Sequence, residues 1–69
     1  MKKLISKTIY NFINLGIKKF VINGVTVTMD EYCNFTCKKG VKVGVYQPKE
    51  NDTVKKVANA LAAIIVEIL

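Results

Sequence analysis

Histidine, arginine and tryptophan are all missing from this chain of 69 residues. Without histidine there is no side chain that ordinarily titrates near neutrality, so the commonest general acid–base group is lacking. Without arginine the chain has no planar fork to read guanine edges or to grip a phosphate at two points. A glycine motif of the phosphate-cradling kind is absent too. The acids Asp30, Glu31, Glu50, Asp52 and Glu67 are scattered over expected turns and helix ends. Adjacent Asp30 and Glu31 read as solvated turn residues rather than as a tuned pair. Neither an enzyme nor a cofactor is expected.

Cysteine is scarce, with two residues, and proline occurs once. On a strand, Cys33 and Cys37 would share a face and stand ~13 Å apart at ~3.3 Å per residue. A disulfide needs Cα atoms within ~7 Å, so the two cannot bridge in that conformation. As metal ligands they are two short, with no histidine to complete a set. Both therefore read as small buried apolar residues. Only a helical segment from Tyr32 onward would bring the thiols together, at i, i+4.

Long apolar runs are missing as well. The longest, Ala60 to Val66, is far below the ~20 residues of a membrane span. Met1-Lys2-Lys3 ahead of Leu4-Ile5 has the look of a signal peptide. Lys7, Asn11 and Asn14 interrupt it, however, and no small-residue cleavage site follows. No membrane association and a cytoplasmic location are the expectation.

What the chain does have is lysine. All 11 basic residues are lysines, against five acids, for a net charge of +6. Such an excess suits an anionic partner, and lysine alone suits diffuse attraction to a phosphate backbone better than base-specific readout. About half the residues are apolar (51%), which excludes a disordered tail. Residues 1–69 read as one small domain. A chain this short buries only ~60% of its unfolded surface, so self-association is a natural way to add buried area.

Periodicity assigns the elements. Lys3 to Leu15 reads as an amphipathic helix, with Leu4, Ile5, Ile9, Phe12, Ile13 and Leu15 on one arc and Lys3, Lys7, Tyr10, Asn11 and Asn14 on the other. Gly16 suits the position just beyond a helix end, with Ile17 folding back on Phe12. Asn23-Gly24 between Phe20-Val21-Ile22 and Val25 to Met29 predicts a two-residue hairpin turn pairing Ile22 with Val25 and Phe20 with Val27. A second hairpin is expected around a three-residue loop, Lys38-Lys39-Gly40, pairing Cys37 with Val41, Phe35 with Val43 and Cys33 with Val45. A tight connection at Asp30-Glu31-Tyr32 would set Met29 beside Cys33 and Val27 beside Phe35. Pro48 ends the last strand, Asn51 or Asp52 caps a final helix, and Thr53 to Leu69 carries the stripe Val54, Val57, Ala58, Leu61, Ile64, Ile65, Ile68 and Leu69. The expected fold is α+β: a four-stranded antiparallel meander of two hairpins with an N-terminal and a C-terminal helix on one face.

This reading leaves a polar outer sheet face of Lys19, Thr26, Thr28, Asn34, Thr36 and Lys42, with Tyr32 and Tyr46 side by side at one end. Lysines and exposed aromatics on a sheet can follow a phosphate backbone and stack bases. Lys3, Lys7, Lys18, Lys19, Lys38, Lys39, Lys42 and Tyr46 are accordingly the candidate nucleic-acid contacts. On the last helix Ala63 and Val66 fall off the main stripe. With Ile64 they form a candidate homodimer interface, unless the first helix covers them.

Lys55-Lys56-Val57-Ala58, with Ala62-Ala63 beyond, resembles the final helix of double-stranded RNA-binding domains, which also hold strands between two helices. By that resemblance Lys55 and Lys56 would contact RNA phosphates. The pattern departs at Asn59, where a further lysine is usual. The family's Gly-Pro-x-His loop is absent, and four strands are expected here rather than three. The likeness is confined to the last helix and does not assign the family. Two functions remain in view. One is a non-catalytic nucleic-acid-binding module held by lysine–phosphate contacts. The other is a protein-interaction module, an inhibitor or adaptor of the kind mobile elements encode, acting through the outer sheet face or the C-terminal helix.

Overall fold

The structure, a computed structural model, describes residues 2–69. Helix α1 (Lys2–Asn14) leads into strands β1 (Lys19–Ile22), β2 (Val25–Met29), β3 (Phe35–Lys39) and β4 (Lys42–Tyr46), and helix α2 (Val54–Ile68) closes the chain. The strands form one antiparallel sheet in the order β1-β2-β3-β4. The expected α+β order is the one adopted.

Local chemistry accounts for most boundaries. Helix α1 stops where Ile17 N–H reaches Phe12 O and Gly16 N–H reaches Ile13 O, both at 3.0 Å, the paired bonds of a Schellman end. Asn23 and Gly24 both have positive φ, 50° and 82°, as a type I′ turn requires. The pairs Ile22–Val25 and Phe20–Val27 follow as expected. Helix α2 is capped by Thr53, whose hydroxyl accepts from Lys56 N–H at 3.2 Å. Asn51 and Asp52, expected as caps, are not. Asp52 is engaged by Lys49 N–H and the Tyr46 hydroxyl instead.

The core lies between the helices and the inner sheet face. Ile5 and Ile9 of α1, Phe20, Val27, Phe35 and Cys37 of the sheet, and Leu61 and Ile65 of α2 are all buried there. Phe12 stacks on Phe20 with ring centroids 4.6 Å apart, tying α1 to the first strand. Leu4 and Leu15, expected on the apolar arc, are exposed because α1 leans on α2 over a narrow stripe. Val27 and Phe35 share the buried face, as the parity of the join between hairpins requires.

Two parts of the sheet differ from expectation. The connection between hairpins runs over five residues, so Met29 lies opposite Phe35 and Val27 opposite Cys37. Asp30 closes it by accepting from Tyr32 N–H (2.8 Å) and Asn34 N–H (2.9 Å). Cys33 is thereby turned out at φ 65°, exposed and off the strand, while Cys37 is buried. The buried reading holds for Cys37 alone, whose thiol burial pushes up to about 11.

The second difference is the register of β3 with β4. The turn takes two residues, Gly40-Val41, not three, and Gly40 supplies the positive φ (62°) at its first position. Cys37 then lies opposite Gly44, and Phe35 opposite Tyr46. The partner of Cys37 has moved three residues, from Val41 to Gly44, and any odd shift exchanges the two faces of a strand, so Val43 and Val45 point to the outer face at 55% and 64% exposure. The cause is the helix above. Ile64 of α2 occupies the space where a side chain at position 44 would stand, so only glycine fits beneath it.

Candidate nucleic-acid interface

Two polar helix faces meet on the side of the helical layer away from the core. On α1, Lys3, Lys7 and Tyr10 follow one another at i, i+4 and i+7, which places them along one face. On α2, Lys55 and Asn59 do the same at i, i+4. The Ser6 hydroxyl donates to the Asn59 side-chain carbonyl and joins the two helices. Between them runs a groove of about 500 Å³ lined by Lys3, Ser6, Lys7, Tyr10, Lys55 and Asn59.

Three ammonium groups therefore border one groove, and none of its lining residues is acidic. Lys55 sits in the first turn of α2, where the helix dipole is positive and which itself holds no acidic residue. A lysine there works against helix stability and in favour of an anion. The neighbouring Lys56 is instead drawn to Asp52 at 3.2 Å, the one ion pair among the described residues. Asp52 is a structural hub: Lys49 N–H, the Tyr46 hydroxyl and Lys56 together hold its carboxyl down at about 2. The same bond raises the Tyr46 phenol above its usual range.

The remaining expected contacts are dispersed. Lys19 lies on the outer face opposite Thr28, and Lys38 on the same face opposite Thr26 and Val43. Lys18 sits just before β1, its carbonyl accepting from Met29 N–H. Lys39 reaches toward Gly24 in the neighbouring turn. Lys42, directly opposite Lys39, turns to the inner side and donates to the carbonyl of Ile68 at 3.3 Å, at the negative end of α2.

Tyr46 is a correction. The slipped register moves it to the inner side, where its hydroxyl donates to Asp52 at 2.6 Å; it does not stand beside Tyr32 on the outer face. Of the candidate dimer residues, Ile64 lies on Gly44, Ala63 is half-buried and Val66 is exposed.

Sequence reasoning thus found Lys3 and Lys7, reached Lys55 through a resemblance, and missed Ser6, Tyr10 and Asn59. Their signal was present, since all three lie on the polar sides of amphipathic helices. What periodicity lacked was the knowledge that these two sides adjoin.

Fold and groove together define a small α+β domain with a lysine-bordered seam between its helices. Compared with known proteins, the chain matches no family model, no curated protein and no solved structure. Among the described residues no helix is long and apolar enough to cross a membrane.

Proposed function

We propose that this protein is a non-catalytic binding module for nucleic acid, held mainly by lysine–phosphate attraction and little concerned with sequence. One observation carries the reading: of the 11 lysines, a single one, Lys56, has a carboxylate partner. Charges that the fold does not use are available to a polyanion, and three of them border the α1–α2 groove, whose lining holds no acidic residue. Tyr10 on the groove wall adds a ring on which a base or sugar can rest.

Binding to random-sequence duplex and single-stranded probes, read by fluorescence anisotropy across a salt series, tests this. Affinity is expected to fall steeply as salt rises. Replacing Lys3, Lys7 and Lys55 with Gln is expected to weaken binding to all sequences alike and to flatten the log–log salt slope by about 2–3, at ~0.7–0.9 per phosphate lost. The same exchange at Lys38, Lys39 and Lys42 is expected to matter less. No binding of the unaltered protein at low salt would remove the proposal.

The protein-interaction reading has its own support in the valines of the outer sheet face, Val21, Val43 and Val45, each more than half exposed. A partner docked there would bind with little dependence on salt.

A further inference from the structure

Strand β4 is an open edge with little to protect it. It pairs with β3 alone, so one side of its backbone is free, and the hairpin register fixes which groups those are. Lys39 and Lys42 flank the two-residue turn and form its closing hydrogen-bonded pair. Alternation then makes Cys37–Gly44 and Phe35–Tyr46 hydrogen-bonded pairs as well. The N–H and C=O of Val43 and of Val45 are therefore the groups that point away from the sheet. Natural edges are blunted by lysine, proline or bulges, yet none of these interrupts the run from Val43 to Val45. Beneath α2 this edge opens into a groove of about 370 Å³, between the strand and Ile64, Glu67 and Ile68.

We propose that β4 pairs antiparallel with β4 of a second copy of this chain, about a two-fold axis at Gly44, to make one sheet of eight strands. Identical strands paired antiparallel are related by a two-fold axis, and placing that axis at Gly44 makes the contact self-complementary. In this register Val43 of each protomer lies opposite Val45 of the other. Each pair exchanges both hydrogen bonds, because those are the residues whose backbone groups face outward. A one-residue shift would set outward groups against inward ones and leave them unmet. The four valines join into one apolar strip on the outer face.

The helices fit the same arrangement. Helix α2 lies across β3 and β4, so with strands ~4.8 Å apart the two copies of α2 come to roughly 10 Å, a helix-packing distance. The stripe of α2 nearest the axis is Ala60, Ile64 and Glu67, at i, i+4 and i+7. Ala60 and Ile64 are half-buried in the single chain and have room to be covered further. Val66, two residues from Ile64 and so ~200° around the helix, faces away from this seam.

Sedimentation velocity over a concentration series, together with hydrogen exchange, tests the pairing. A species of twice the chain mass is expected at high concentration, with the Val43 and Val45 amides protected only in that species. Each protomer carries +6, so added salt is expected to strengthen the dimer through screening, the reverse of its effect on phosphate binding. Val45→Pro removes an outward N–H while sparing every bond to β3, and is expected to abolish the dimer with unchanged circular dichroism. Val43→Lys, which sets a charge on the seam, is expected to do the same and replaces the proline variant if that one misfolds. A monomer at every concentration overturns the proposal. So does a dimer that survives substitution with its Val43 and Val45 amides still exchanging freely.

Discussion

In the first hairpin, turn chemistry, apolar alternation and burial agree: Asn23-Gly24 sets the register, and Phe20, Ile22, Val25 and Val27 all end up buried. The second hairpin has the same alternation, Val41, Val43 and Val45 against Phe35 and Cys37, yet all three valines are exposed. The difference is what lies above each. The first hairpin meets Phe12 of α1 and the general core, which accept large side chains. The second lies under α2, close enough that Ile64 fills the position a side chain on residue 44 would need. Exposing a valine forfeits about 1.5 kcal/mol or more of burial. A close helix–sheet contact and a glycine-led turn offset that locally, and a β4–β4 pairing would recover part of it.

The sharpest way to break this comparison is at its buried end. Phe20→Ala in the first hairpin is expected to cost about 3–5 kcal/mol in chemical denaturation. Val45→Ala in the second, measured at a concentration where the chain is monomeric, is expected to change stability by no more than ~0.5 kcal/mol. A cost at Val45 approaching that at Phe20 would mean that Val45 is buried as well. The next effect concerns the glycine. Gly44→Ala is expected to cost about 1–3 kcal/mol through overpacking against Ile64. Combining it with Ile64→Ala should cost less than the sum of the two single changes, because the truncated side chain vacates the space. Strict additivity in the double-mutant cycle would show that the two residues do not touch.

The smallest effect separates the hairpins by pH. Among the described residues, a strand residue of the second hairpin, Tyr46, bonds to a carboxylate, that of Asp52, whereas no side chain of β1 or β2 bonds to one. The Asp52 carboxyl lies at about 2 in the fold against an ordinary 3.8. Its contribution is thus complete above pH ~4 and is lost as the pH falls from there toward 2. Amides of β3 and β4 are expected to exchange faster over that interval relative to those of β1 and β2. In Asp52→Asn this selective loosening should vanish.

How much was legible follows the same division. The Gly16 end of α1, the Asn23-Gly24 turn and the parity of the join at Asp30 were readable because each depends on neighbours within a few residues. The register of β4 was not, since Lys38-Lys39-Gly40-Val41 permits either a two- or a three-residue turn, and alternation favoured the wrong one. The position of Tyr46 and the grouping of Lys3 and Lys7 with Lys55 were lost with it or lay beyond it. Residues 3 and 55 are far apart in the chain, and periodicity says only that each is on a polar side.

The chain's own pattern determined the α-β-β-β-β-α order, the type I′ turn, the buried side of the first hairpin and an excess of lysine with few acids to meet it. Those are consequences of side-chain period, turn conformation and composition. Only tertiary structure decided that Gly44 rather than a valine faces the last helix, that Tyr46 turns inward to Asp52, and that three lysines share one groove. Each of these depends on how near α2 comes to β4 and α1, and that distance is set by the shapes of side chains remote in sequence.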